Sequence, residues 1–269
     1  MIELNLKFPC QATVFKISTD CPNICERLKL QHGAHISGEF ASCTYDIKIT
    51  RDNQSLYHFV REGKHITTAT PLLELDTLLF EIAKFDESII ALHGAAVEFN
   101  DKSYAFLAPT TTGKTTLCTY LVRSGGMGYI TEDRILLDEK NNVHPFTCPI
   151  HLRAGGLGVL EKYGVLLPEL PLLEEAGDSR YIFNPENPVT TSLPLGKIFF
   201  ISRTESENSA KPISTAEAIG ALMKAAATVV TPMASYIQAI SAIARTGCVS
   251  LQYSDMAYVK NLITSGVYG

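Results

Sequence analysis

The sequence predicts an α/β fold with a mixed sheet, preceded by a small strand-rich module, and three observations carry that reading. Residues 108–116, Ala-Pro-Thr-Thr-Thr-Gly-Lys-Thr-Thr, close an apolar strand (Tyr104–Leu107) and open a helix whose Leu117, Leu121 and Val122 are spaced to face a sheet. Just upstream, Ala95–Phe99 and Ser103–Leu107 flank Asn100-Asp101, the composition of a tight hairpin turn. A hairpin ahead of one strand–loop–helix unit breaks the βαβ rhythm, which favours a mixed sheet over a purely parallel one. The first 70 residues, finally, alternate in short segments: Leu4–Phe8, Thr13–Ile17, Thr44–Ile49 and Leu56–Val60.

Taken in order, the chain divides into three stretches. Residues 1–70 form the strand-rich module, and residues 71–87 a connecting helix that starts at Thr70-Pro71 and repeats Leu72, Leu75, Leu79, Ile82 and Ala83 at helical spacing through Phe85. Residues 88–269 form the larger domain. After the helix over 115–124 come a turn at Gly125-Gly126, a strand Met127–Ile130, and a hairpin of Ile135–Asp138 with Val143–Phe146 around Glu139–Asn142. From Thr147 to Pro194, Gly and Pro are frequent and periodicity is weak, so loops are expected, including the glycine-rich 151–158. Leu195–Ser202 reads as a strand ending at Arg203; helices follow over Thr215–Val230, Met233–Ala244 and from an Asp255 N-cap to Thr264.

Composition narrows the class of function. Apolar residues are 46% and charged residues 19% of 269, a globular mixture able to bury a large core. A formal charge of −5 with no basic run argues against nucleic acid as the main partner. No apolar run approaches the roughly 18 residues of a membrane span, and Met-Ile-Glu-Leu-Asn-Leu-Lys alternates like a strand rather than a signal peptide, so a cytoplasmic protein is expected. Seven scattered cysteines suit reduced thiols. Cys21, Cys25, His32 and His35 lack finger spacing and read as buried thiols with surface histidines, not as a zinc site.

The loop at 108–116 has the chemistry of a phosphate cradle. Backbone N–H groups converge at a helix N-terminus, where an anion is stabilised. Pro109, Thr110, Thr111, Thr112, Gly113, Lys114, Thr115 and Thr116 are the expected nucleotide contacts, with the Lys114 ammonium on the outer phosphates and the Thr115 hydroxyl on Mg²⁺. Ala108 stands where the usual first glycine would be. At the end of the next strand, Glu132 and Asp133 face the phosphates, one to hold Mg²⁺ and one to orient or deprotonate an attacking hydroxyl. A regular strand would send only one of these neighbours into the pocket, and Asp133, further into the turn, is the stronger candidate. Arg153, Arg180 and Arg203 are candidates for further positive charge near a phosphate.

In order, His93-Gly94-Ala95, the 108–116 loop, Glu132-Asp133 and Leu152-Arg153-Ala154-Gly155-Gly156-Leu157-Gly158 resemble the HPr kinase/phosphorylase catalytic domain family, whose fold is related to phosphoenolpyruvate carboxykinase. The resemblance covers about residues 88–245. It implies an ATP- and Mg²⁺-dependent kinase acting on a serine of a peptide or small protein, including precursor peptides of natural-product clusters. Lys114 and Thr115 correspond to its loop lysine and metal-binding hydroxyl, Asp133 to its base, and Glu132 to a position where the family commonly has aspartate. His93 would sit near the phosphates and position the acceptor, and Arg153 would add positive charge. His151 replaces the glutamate two residues before that arginine, which argues against reversible phosphorylase activity. A small-molecule kinase and a non-catalytic nucleotide-binding scaffold remain alternatives, as does a homo-oligomeric state. The 1–70 module is expected to capture a peptide by adding it to a sheet edge.

Overall fold

A computed structural model of the chain describes residues 1–7, 14–38, 44–61, 64–69, 71, 74–75, 77, 89–175, 178–226 and 233–267. Most of the connecting helix expected over 71–87 lies outside these residues, as do Cys10 and Cys43. The chain forms two units: Met1–Phe85 with Pro171–Ile182, and Asp86–Leu170 with Phe183–Gly269.

The first unit is built on a five-stranded sheet in the order β1 (Ile2–Leu6), β2 (Val14–Thr19), β3 (Thr44–Arg51), β4 (Tyr57–Arg61), β5 (Lys64–Thr68). β2 and β3 run parallel, and parallel neighbours need a crossover, which includes helix α1 (Pro22–His32). Pro22 starts that helix, where its missing N–H costs nothing. Its inward face carries Ile24, Cys25 and Leu28 but also Gln31 and His32. His32 and His35 are 1% and 8% exposed, which corrects the expectation of surface histidines. The segment after α1 lies along the outer edge of β1, with Lys7 N–H donating to the His35 carbonyl and Ser37 N–H to that of Asn5.

The second unit carries the mixed sheet. β6 (Ile90–Phe99) and β7 (Lys102–Leu107) are an antiparallel hairpin, and Asn100 and Asp101 sit at φ 52° and 58°, the left-handed pair that a two-residue turn matched to strand twist requires. Helix α2 (Lys114–Gly125) follows β7, then β8 (Gly128–Thr131), β9 (Arg134–Leu137) and β10 (Asn142–His144). β6 pairs with β8 through Ala96 to Glu98 and with β9 through Ile90 to His93. The ladder changes partner at Gly94, so the bend between β8 and β9 lies against that glycine.

β11 (Ile150–Leu152) and helix α3 (Ala154–Lys162) come next, where loops were expected. Glycines disfavour a helix, but Gly156 faces α2, and a Cβ there would stand 3.0 Å from Thr116 Oγ1. β12 (Leu172–Glu175) and β13 (Asp178–Phe183) form an antiparallel hairpin. Most of it clusters with the first unit, although this stretch falls inside the second domain as read from sequence.

β14 (Leu193–Arg203) runs parallel to β7 on one side and to β16 (Cys248–Tyr253) on the other, while β15 (Ser209–Pro212) is antiparallel to β16. β10 pairs with both β9 and the start of β14, so β10-β9-β6-β7-β14 close on themselves. Helix α4 (Thr215–Lys224) has a complete Ser214/Glu217 capping box and is shorter than expected. Its chain leaves the helix to meet β6: the Ala225 carbonyl accepts from His93 N–H, and Ala226 bridges to Leu92. Helices α5 (Met233–Arg245) and α6 (Met256–Thr264) complete the unit, and Asp255 caps α6 by accepting from Ala257 N–H. The core joins Leu92, Ala105, Leu107, Ile135 and Ile198 of the sheet to Leu222 and Ile240 of the helices. Among the described residues, no helix is long and apolar enough to cross a membrane.

Candidate active site

The parallel strands β7, β14 and β16 end on the same side of the sheet, where ligands of open α/β sheets gather. After Leu107 the chain turns through Ala108–Gly113 into α2. Thr111 takes φ 70° and Gly113 φ 98°, and Gly113 is the N-cap of the helix. Alternation of this kind turns successive N–H groups inward. Thr112 Oγ1 donates to the Pro109 carbonyl at 2.9 Å and braces the turn. Pro109, Thr110 and Thr111 are exposed.

Lys114, in contrast, is 6% exposed, and its ammonium donates to the carbonyls of Ala108 at 2.8 Å and Pro109 at 3.1 Å. Burial pushes its pKa down, and the nearby Asp133 and Glu132 carboxylates pull it back toward the charged form. The side chain is a cation folded across the loop it belongs to.

The two acids lie in the bend after β8, not on the strand. Thr115 Oγ1 donates to Glu132 Oε2 at 2.7 Å, and Glu132 Oε1 accepts from His151 N–H at 3.2 Å. Asp133 Oδ1 is 3.1 Å from His93 Nδ1, and its Oδ2 is 3.2 Å from Arg134 Nε. The one-acid limit of a regular strand does not apply to this bend: strand alternation ends at Thr131, so Glu132 turns to α2 and Asp133 to β6.

Desolvation raises the Asp133 pKa, but the hydrogen bond and charge of His93, followed by Arg134, outweigh it and bring the carboxyl down to about 2. An ionised carboxylate only accepts, so His93 Nδ1 carries the proton in this pair. His93 Nε2 is buried with no hydrogen-bond partner.

Gly94 makes this approach possible. A Cβ there would sit 2.7 Å from the Phe106 carbonyl oxygen and 2.8 Å from Ile135 Cδ1, and would overlap Leu107 Cδ2. Its N–H donates to the Asp133 carbonyl at 3.0 Å, fixing the bend beside His93.

The other candidates are distributed differently. Arg153 is exposed at the N-cap of α3, two residues beyond the His151 N–H that holds Glu132. Arg203 is exposed at the end of β14, in register with Tyr253 of β16. Arg180 lies in the first unit on β13 and pairs with Asp178. Sequence reasoning missed Tyr253, which stands beside Gly113; its position at the end of an apolar strand, one residue before Ser254-Asp255, was the available signal.

No family model matches the chain, and no curated protein matches it. Among solved structures, the HPr(Ser) kinase/phosphatase from Coxiella burnetii is similar at 9% identity and a TM-score of 0.33, over 65% of this chain and 95% of that one. The likeness is distant.

Proposed function

We propose that the chain is a Mg-ATP-dependent phosphotransferase of the HPr kinase-like type that acts on a serine hydroxyl of a peptide or small protein. The observation that carries the reading is the joining of the loop's helix to the acid pair: Thr115 bonds Glu132 at 2.7 Å, and the adjacent Asp133 holds His93 at 3.1 Å.

Under this reading the α2 N-terminus and Lys114 bind the triphosphate. Thr115 and Glu132, with Asp133, would hold Mg²⁺; the hydroxyl and carboxylate oxygens already converge, and this is a donor set of hard oxygens. The cation would supply charge neutralisation to the phosphates. The acceptor Oγ attacks the γ-phosphorus, the bond to the bridging oxygen breaks, and the serine proton passes to Asp133. With a pKa of about 2, Asp133 is a weak base that orients the hydroxyl until bond formation has acidified it, as a loose transition state permits. His93 keeps that carboxylate in place, and Arg153 would reach the transferred phosphate.

The first unit would supply an edge for the peptide, and β5, exposed along most of its length at the end of the sheet, suits an added strand.

γ-Labelled ATP offered with parallel panels of serine peptides and small hydroxylated metabolites tests the acceptor. Label on peptide serine supports the proposal. Label on metabolites alone would replace it with a small-molecule kinase, and nucleotide binding without transfer to either panel favours the scaffold.

A further inference from the structure

Tyr253 is the last residue of β16, and its side chain is almost wholly enclosed, at 2% exposure. Enclosed tyrosines ordinarily find a partner for the hydroxyl. This one has no hydrogen bond to its hydroxyl among the described residues, although its surroundings are well ordered by others. Tyr163 Oη donates to the Ser254 carbonyl at 3.3 Å, Tyr120 meets the Tyr163 ring edge-on at 5.5 Å, and Tyr253's own carbonyl accepts from Thr204 N–H at 2.9 Å. These contacts fix the backbone on either side of the residue, and the Tyr253 side chain is enclosed at 2% exposure while its polar end stays unpaired among the described residues.

That end points at the N-terminus of α2. The position of a Cβ on Gly113 has one neighbour within 4 Å, the Tyr253 hydroxyl at 3.7 Å. Gly113 is the N-cap, so the space on its open side adjoins the first free N–H groups of the helix. A donor fixed there extends the set of backbone donors with a side chain from two strands away. Burial pushes the phenol up to about 12, with Arg203 opposing, so it stays a protonated donor across the physiological range.

We infer that the Tyr253 hydroxyl is a phosphate-binding group: it donates to an oxygen of the polyphosphate seated at the α2 N-terminus. The inference rests on the nucleotide-binding reading above and adds a residue outside the loop to it. The enclosed ring fixes the hydroxyl before the ligand arrives, so little ordering opposes the new bond.

The test is binding, separate from turnover. Tripolyphosphate absorbs no light near 280 nm and the chain has no tryptophan, so a tyrosine difference spectrum can be followed directly as tripolyphosphate is added. The parent protein should bind it with a difference spectrum that is absent in Tyr253→Phe. That variant keeps the ring and should melt with the parent, yet bind both tripolyphosphate and Mg-ATP about tenfold more weakly, the scale of one hydrogen bond to a charged group. Tyr253→Phe binding both ligands within twofold of the parent, while Lys114→Ala loses them, would overturn the inference and leave the nucleotide reading standing. A parent that binds neither ligand would overturn both.

Discussion

The Thr115 hydroxyl donates to Glu132 Oε2 at 2.7 Å, tying the first turn of α2 to the bend after β8. Glu132 also receives His151 N–H, so one carboxylate gathers three segments that are distant in sequence. Glu132→Gln keeps one acceptor oxygen, for His151 N–H, and turns its NH2 to Thr115 Oγ1, a hydroxyl that can accept as well as donate, but it loses the charge a cation needs. It should melt close to the parent and lose on the order of a hundredfold in Mg²⁺-supported transfer. Thermal melts beside Mg²⁺ titrations of activity separate the two effects.

Gly94→Ala should harm both stability and activity. The added methyl meets the Phe106 carbonyl oxygen at 2.7 Å, and a backbone oxygen in a paired strand cannot step aside. Overpacking of this kind costs about 1–3 kcal/mol. Because the same shift moves His93 away from Asp133, transfer should fall further than the folded fraction does, which melts and rates at matched temperature will show.

Asp133 should leave a mark on the acid side of the stability curve. Its carboxyl lies at about 2 in the fold against an ordinary value of 3.8, so the fold prefers the ionised form. The resulting stabilisation is complete above 3.8 and is lost as pH falls toward about 2. With the side chain 55% exposed, solvent screens the pairing and the increment is small. Denaturant melts between those limits should show a pH-dependent loss in the parent that is missing in Asp133→Asn.

Arg153→Ala should separate function from folding. The residue is exposed and caps α3 through its backbone: its carbonyl accepts from Gly156 N–H at 2.9 Å and Leu157 N–H at 3.2 Å. Stability should change by no more than about 1 kcal/mol, the upper scale of an exposed pairing. Turnover should drop by at least roughly tenfold, and Arg153→Lys should recover only part of it, since an ammonium lacks the guanidinium fork.

Local signals made part of this structure legible. The Asn100-Asp101 turn, the apolar strand ahead of the loop and the spacing of Leu117 and Leu121 each belong to a few contiguous residues, and β6, β7 and α2 follow them. α1 escaped because its buried face includes Gln31 and His32, which blur the apolar stripe. α3 escaped because its glycines read as a loop, whereas Gly156 serves the close approach to Thr116. Partner choice in the sheet is a tertiary matter: nothing local to Gly94 says that β6 changes from β8 to β9 there. The placement of His93 against Asp133 depends on that change, and Tyr253 beside Gly113 depends on the order β7-β14-β16.

The central claim is that the 108–116 loop and the Glu132-Asp133 bend form one phosphoryl-transfer site. Intact-mass measurement of serine peptides after incubation with Mg-ATP tests it most directly, run on the parent and on Lys114→Ala and Asp133→Asn proteins confirmed to be folded. The account predicts one added phosphoryl group with the parent and none with either variant. Transfer that persists in both variants would contradict it.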